Sequence, residues 1–264
     1  MKTGFIGCGN MAGAIIKGMI SSENFSAEEI FIFDIDESKT DIICEEYNCK
    51  KCVSAVETVK QSDAVILCVK PNVIAAVLEE LNDTLEEKDP LIISIAAGKT
   101  LEFIEDCLSY VPRLIRVMPN INAQALSAVS AYCANGRAKE FTDFAGSFCK
   151  SFGTAVELDE KFFPVFGVIG GCSPAFAYMF IDALARAAVK NGMPKATALE
   201  ISAQAVLGSA KMILESGECP WSLVDKVCSP GGTTIEGVLS LQENGFESAV
   251  AKAVQAAVEK DSRI

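Results

Sequence analysis

Two glycine-rich stretches carry the residue types from which anion-binding turns are built: Gly7-Cys8-Gly9-Asn10-Met11-Ala12 near the N-terminus and Ser229-Pro230-Gly231-Gly232-Thr233-Thr234 far downstream. The first follows an apolar run, Thr3 to Ile6, and leads into Met11-Ala12-Gly13-Ala14-Ile15-Ile16, which has the spacing of an amphipathic helix start. In that context Gly7 permits a tight strand-to-helix turn, Gly9 lets a pyrophosphate approach the backbone, and Ala12 keeps the helix close to the strand. The helix N-terminus adds free N–H groups and the positive end of its dipole. That chemistry is dinucleotide binding, and it predicts a nicotinamide-dependent oxidoreductase.

Other residues extend the site. The run Phe31-Ile32-Phe33 ends in Asp34, where an acidic side chain hydrogen-bonds the adenosine ribose hydroxyls. Asp34 would repel a 2′-phosphate, and it is followed by Ile35 rather than by an arginine, so NADH is favoured over NADPH. Lys39 with Ser38 is the counter-argument for NADPH. Three more apolar runs end in unusual residues: Lys70-Pro71, Ala97-Gly98 and Met118-Pro119-Asn120. In an open α/β sheet ligands sit beyond the carboxyl ends of the strands, so these loops are expected to line a nicotinamide cleft.

The downstream stretch reads differently. Gly231 and Gly232 free the backbone to form a concave nest of N–H groups, and Thr233 with Glu236 is expected to make a capping box that opens the next helix. A nest of that size suits a carboxylate. An ordinary capped helix after a Pro-Gly loop would use the same residues.

The elements that must position these groups follow from periodicity. Strands are expected at Thr3 to Ile6, Ile30 to Asp34, Ala64 to Val69, Leu91 to Ile95, Leu114 to Val117, Ser130 to Cys133 and Ala155 to Leu158, with a weak one near Cys52-Val53. Alternation with helical patterns gives a parallel, doubly wound Rossmann-like sheet over residues 1–158. Residues 159–264 lose the β-branched runs and become alanine-rich. Breakers at Gly192-Met193-Pro194, Gly217 to Pro220, Pro230 to Gly232 and Asn244-Gly245 divide them into about five helices. An all-helical half of this composition is expected to share its core with a second copy, as a homodimer or higher homo-oligomer, and to carry the substrate.

Composition narrows the partners. A net charge of −12 with scattered cations excludes a phosphate-backbone footprint, so no nucleic acid is expected. Eleven cysteines, an odd number with no signal-peptide pattern, are expected to be free thiols in a reducing cytoplasm. The pair Cys49 and Cys52 lacks the further ligands a structural zinc needs in a chain with no histidine, so no metal is expected. The uncharged run Phe162 to Ile181 is long enough for a bilayer, but Pro164, Gly170, Gly171 and Pro174 interrupt it; Ser173-Pro174 reads as an N-cap followed by proline. A buried interface helix, not a membrane span, is expected.

Taken together these stretches resemble the pyrroline-5-carboxylate reductase family over nearly the whole chain. The resemblance rests on Gly4 to Ala12, Cys68-Val69-Lys70-Pro71, Ser94 to Gly98, Arg116-Val117-Met118-Pro119-Asn120 and, most specifically, Ser229 to Thr234. It implies a Rossmann domain before a helical dimerisation domain. Gly231, Gly232, Thr233 and Thr234 would hold the substrate carboxylate, the Thr234 hydroxyl lying near the ring nitrogen as the catalytic group. Asn10, Met11, Lys70, Ala97 and Asn120 would approach the cofactor. The chain departs from the family pattern at Ile121-Asn122, where Thr-Pro is usual, at Gly170-Gly171-Cys172, and at Asp34-Ile35, where many members carry Asn-Arg or Ser-Arg.

The implied reaction, hydride transfer from NADH or NADPH to the C5=N bond of the small-molecule substrate 1-pyrroline-5-carboxylate, gives L-proline. It suits a chain without histidine, because a protonated imine is already an electrophile and needs no further proton donor. Rival readings are a reductase of another cyclic imine or of a 3-hydroxy acid, and a non-catalytic dinucleotide-binding regulator. The 3-hydroxy-acid reading expects a lysine with an asparagine one helical turn later, which Arg186, Lys190 and Asn191 do not provide.

Overall fold

A computed structural model describes residues 1–261, so the last three residues of the expected helical domain lie outside the described residues. The chain divides into two compact units, Met1–Gly171 and a second that begins at Cys172.

The first unit is built on an eight-stranded sheet ordered β3-β2-β1-β4-β5-β6-β7-β8. The strands are β1 Thr3–Ile6, β2 Ile30–Phe33, β3 Lys50–Lys51, β4 Ala64–Leu67, β5 Leu91–Ser94, β6 Arg113–Met118, β7 Ala128–Ala134 and β8 Gly153–Glu157. Every residue of β1, β4 and β5 is buried, as expected where helices cover both faces of a parallel sheet. Strand β1 pairs in register with β2 through Thr3↔Ile30 and with β4 through Thr3↔Ala64, so the chain reverses its winding direction on either side of β1. That reversal is the topological switch point, where ligands of open α/β sheets bind.

Two expectations are corrected here. The weak strand falls at Lys50–Lys51 rather than at Cys52-Val53, and the sheet is not wholly parallel: β7 pairs antiparallel with β6, Ile115 opposite Ala134, and β8 then runs parallel to β7. Apolar content marks a buried strand but not its direction. Here the connection 119–127 contains only a short 3₁₀ turn, Ile121–Ala125, too little chain for a crossover helix.

The helices of this unit are α1 Asn10–Ser21, α2 Glu37–Tyr47, α3 Ala55–Gln61, α4 Ile74–Lys88, α5 Leu101–Asp106, α6 Thr142–Lys150 and the single turn α7 Phe163–Phe166. Helix α1 buries Ala12, Ile15, Ile16 and Met19, one face at helical spacing, in a cluster with Phe5, Ile32, Phe148 and Phe152. On the opposite face α4 buries Ile74, Leu78, Leu81 and Leu85 against Val65, Leu67 and Ile92. Close packing of α1 depends on Gly18, where a Cβ would come within 2.7 Å of Phe152 Cβ.

Compactness places the boundary after Gly171, later than the composition change at residue 159, because Phe163 packs with Ala131 and Cys133 on the last strands of the sheet. The second unit contains five helices among the described residues: α8 Ser173–Lys190, α9 Lys195–Ser216, α10 Pro220–Val227, α11 Thr233–Glu243 and α12 Phe246–Asp261. Each break falls at an expected Gly or Pro cluster. The cap of α8 is Cys172 rather than Ser173, following a π-helical segment, Gly167–Cys172.

The helical run Glu160–Lys190, with a stretch of mean hydropathy 1.5, is long and apolar enough to cross a membrane by length and composition. Its second half carries Asp182, Arg186 and Lys190 at four-residue spacing along one face of α8, with Asp182 paired to Arg186. The apolar side chains exposed on this unit include Met179, 73% exposed, and Leu214, 83% exposed.

Candidate active site

The glycine turn forms as its sequence requires. Gly7 has φ +95°, and a Cβ there would lie 2.8 Å from the Cys68 carbonyl carbon and oxygen, so only glycine lets β1 leave the sheet beside the end of β4. Gly9 is the extended N-cap of α1 with no side chain to cap it, and a Cβ at Gly9 would meet nothing within 4 Å. The first turn of α1 therefore presents uncapped N–H groups beside open space, which fits a pyrophosphate. Ala12 is buried and joins the helix to the sheet, while Asn10 is exposed and Met11 partly so.

Asp34 does something its position alone does not reveal. One carboxylate oxygen accepts the Cys8 N–H at 2.7 Å, the other accepts the Asp36 N–H at 2.9 Å, and Lys39 Nζ stands 3.5 Å away. The carboxylate thus ties the glycine turn to the end of β2. Each oxygen retains lone-pair capacity for a ribose hydroxyl. Burial, with the Asp34 charge beside it, pushes the Cys8 thiol up to about 12, so this cysteine is inert packing rather than a nucleophile.

The exits of β4, β5 and β6 converge on one cavity of about 330 Å³, lined by Met11 and residues 68–71, 95–97 and 116–119. Six residues nominated from sequence meet there: Met11, Lys70, Pro71, Ala97, Met118 and Pro119. Gly98, with φ +72° and open space where a Cβ would go, sits at the turn leaving β5. Burial raises the Cys68 thiol well above its ordinary value, removing a second sulfur from the chemistry.

Asn120 is placed differently from the others. It is buried, its Nδ2 donates to the Gly170 carbonyl at 2.8 Å, and its Oδ1 accepts the Asn122 N–H at 3.2 Å, capping the 3₁₀ turn after β6. Arg116 is not among the site residues expected from sequence, yet it lines the cavity. Its guanidinium lies 4.5 Å from the Phe163 ring and donates at 2.8 Å to Glu160 Oε1, which also accepts the Leu101 N–H at 2.8 Å. The available signal was a charge inside an otherwise apolar strand, Leu114-Ile115-Arg116-Val117-Met118.

In the second unit, Ser229-Pro230-Gly231-Gly232 forms a turn closed by the Gly232 N–H donating to the Ser229 carbonyl at 3.0 Å. Gly231 has φ +66°, the conformation a Pro-Gly turn of type II demands at its third residue. A Cβ at Gly232 would lie 2.4 Å from Ser229 Oγ. The expected capping box does not form. Gly232 itself takes the extended N-cap position, Thr233 is the first helical residue, and no side chain caps α11. The first N–H groups of α11 therefore remain available, with Thr233 and Thr234 exposed beside them.

A dinucleotide-type glycine turn at the switch point of a mostly parallel sheet, with a cleft of strand ends beside it, defines an NAD(P)-dependent oxidoreductase of Rossmann type. Comparison with known proteins gives the family. Residues 160–264 match the family described as pyrroline-5-carboxylate reductase dimerisation, and residues 2–98 match that described as NADP oxidoreductase coenzyme F420-dependent. The pyrroline-5-carboxylate reductase of Escherichia coli strain K12 is 41% identical over 266 residues, covering 100% of this chain and 98% of that one. Among solved structures, a pyrroline-5-carboxylate reductase from Coxiella burnetii superposes with TM-score 0.94 at 31% identity, over 99% of this chain and 97% of that one. A Plasmodium falciparum pyrroline carboxylate reductase with NADP bound gives 0.86 at 29% identity, with the same coverage. The chain belongs to the pyrroline-5-carboxylate reductase family, NAD(P)H-dependent oxidoreductases that act on an imine.

Proposed function

We propose that the chain reduces 1-pyrroline-5-carboxylate to L-proline as a cytoplasmic homodimer, with NADH as its preferred cofactor. The convergence of the β4, β5 and β6 exits on one cavity beside the glycine turn is the observation that carries the reading. Gly7, Gly9, Asn10, Met11 and Ala12 would hold the pyrophosphate. Lys70, Pro71, Ala97, Gly98, Met118 and Pro119 would form the nicotinamide cleft. Asn120 would act indirectly, by fixing the turn after β6 through its bonds to Gly170 and Asn122. Bound reduced nicotinamide supplies a hydride.

On the substrate side, the Gly231–Gly232 turn and the first N–H groups of α11 would hold the carboxylate, with Thr233 and Thr234 beside it. The Thr234 hydroxyl would accept a hydrogen bond from the iminium N–H and orient C5. An already protonated imine asks for positioning more than proton donation, which fits a chain without histidine.

NADH is favoured because Asp34, only 10% exposed at its side chain, would set a carboxylate against a 2′-phosphate, and Ile35 supplies no cation. The NADP bound to the Plasmodium relative is the opposing observation. Homodimerisation is supported by the dimerisation match and by the exposed apolar side chains of α8 and α9. Eleven free thiols fit a reducing compartment.

The test is to follow NADH and NADPH absorbance separately after adding pyrroline-5-carboxylate. Consumption of neither cofactor defeats the proposal, faster use of NADPH defeats the NADH assignment, and a 28.1 kDa monomer in sedimentation equilibrium defeats the dimer.

A further inference from the structure

The first turn of α2, capped by Asp36, contains three donors that a phosphate group could use together: the Ser38 N–H, the Ser38 hydroxyl and the Lys39 ammonium. One side chain holds all three. Asp36 Oδ1 accepts the Ser38 N–H at 3.2 Å and the Ser38 Oγ–H at 2.6 Å, while Oδ2 pairs with Lys39 Nζ at 3.6 Å. Lys39 is shared with Asp34, at 3.5 Å. The group therefore holds two carboxylates against one ammonium, and one of the two is Asp34, the residue assigned to the adenosine ribose.

We propose that Asp36 is the residue that denies this chain a 2′-phosphate: its carboxylate occupies, from within the protein, the donor set that the phosphate of NADPH would need. The inference rests on the NADH reading above and names the group that enforces it. A 2′-phosphate approaching this loop meets a net negative charge and finds its donors committed. Removing the Asp36 carboxylate leaves Asp34 and Lys39 in balance and frees the hydroxyl and one side of the ammonium, while the Ser38 N–H stays with the side chain that caps α2. The same Ser38 hydrogen bonds hold the Asp36 carboxyl below its ordinary value, so it stays charged through the neutral range. Lys39 and Ser38 count as a 2′-phosphate site only when Asp36 is absent. Their presence in the sequence is therefore not an argument for NADPH.

The experiment is calorimetric binding of adenosine 2′,5′-bisphosphate and adenosine 5′-monophosphate to the full-length protein, its Asp36→Ser and Asp36→Asn variants, and Asp36→Ser/Lys39→Gln. Serine and asparagine both keep a side-chain cap on α2. The parent is expected to bind the monophosphate more tightly. Asp36→Ser should gain at least tenfold in bisphosphate affinity with monophosphate affinity held within threefold, Asp36→Asn should gain less, and the added Lys39→Gln should remove the gain. Unchanged bisphosphate affinity in both single variants, with monophosphate binding intact, overturns the role of Asp36 alone. A parent that already prefers the bisphosphate overturns the NADH reading and this inference together. Loss of monophosphate binding in both variants overturns the inference by making Asp36 a scaffold rather than a discriminator.

Discussion

Replacing Asp34 with alanine separates two roles that its position combines. If Asp34 served only the ribose, the free protein would not register its loss. Its second role is internal, because the carboxylate accepts the Cys8 and Asp36 N–H groups at 2.7 and 2.9 Å from a side chain that is 10% exposed. Hydrogen bonds to a charged acceptor contribute about 1.5–3 kcal/mol each. The Asp36 N–H is at the surface and regains water when its acceptor goes, so it counts for little. The Cys8 N–H belongs to a buried residue and is left unpaired. The exposed Lys39 pair adds at most about 1 kcal/mol. The expected loss is about 2–4 kcal/mol, a fall in Tm of roughly 5–15 °C for a chain of this size. The assay is thermal unfolding by circular dichroism without cofactor, at fixed protein concentration, beside Asp34→Asn, which keeps one acceptor oxygen and should lose about half as much. An Asp34→Ala protein melting within about 2 °C of the parent would refute the tie between β2 and the glycine turn.

Other consequences are as direct. Thr234→Ala should lower kcat/KM for pyrroline-5-carboxylate by about 10- to 100-fold, the value of one hydrogen bond to a charged group, and leave NADH affinity unchanged; full activity would remove Thr234 from the site. Gly7→Ala, at φ +95° with its Cβ 2.8 Å from the Cys68 carbonyl, should cost about 3 kcal/mol or more in urea unfolding. Gly9→Ala, with open space around its Cβ, should leave stability unchanged and weaken NADH binding at least tenfold; equal effects in the two variants would contradict the geometry. Burial pushes the thiols of Cys8, Cys49, Cys133 and Cys149 up to about 12 from an ordinary 9, so the folded state keeps their protons after the unfolded chain has lost them. Stability should therefore fall as pH rises from 9 toward 12. At pH 8 peptide mapping should find these four cysteines alkylated by iodoacetamide only after unfolding.

Strand positions were legible in the sequence because continuous apolar runs such as Ala64–Leu67 can be satisfied only inside a covered sheet. Direction was not legible at β7, since burial is indifferent to polarity and the deciding fact, a connection too short for a crossover, depends on pairing partners. The glycine turn was legible because Gly7 has one steric solution. Thr233 was misjudged because an N-cap is a backbone position, and the extended conformation at Gly232 claimed it first. Arg116 and Asn120 show a further limit. Whether a polar side chain faces a cleft or braces a neighbouring turn depends on Glu160 and Gly170, some 40 to 50 residues later in the chain.

The reversed strand also shortens one of the loops that the sheet must close. The β6–β7 pair closes through residues 119–127, whereas β1 pairs with β2 from Ile30 and with β4 from Ala64. Closing a longer loop costs more chain entropy and generally proceeds more slowly. By loop length, the hairpin is therefore the strand pair of the sheet that costs least chain entropy to close. Because Gly7 must settle against Cys68, the turn that would grip the dinucleotide cannot exist before β1 and β4 have met.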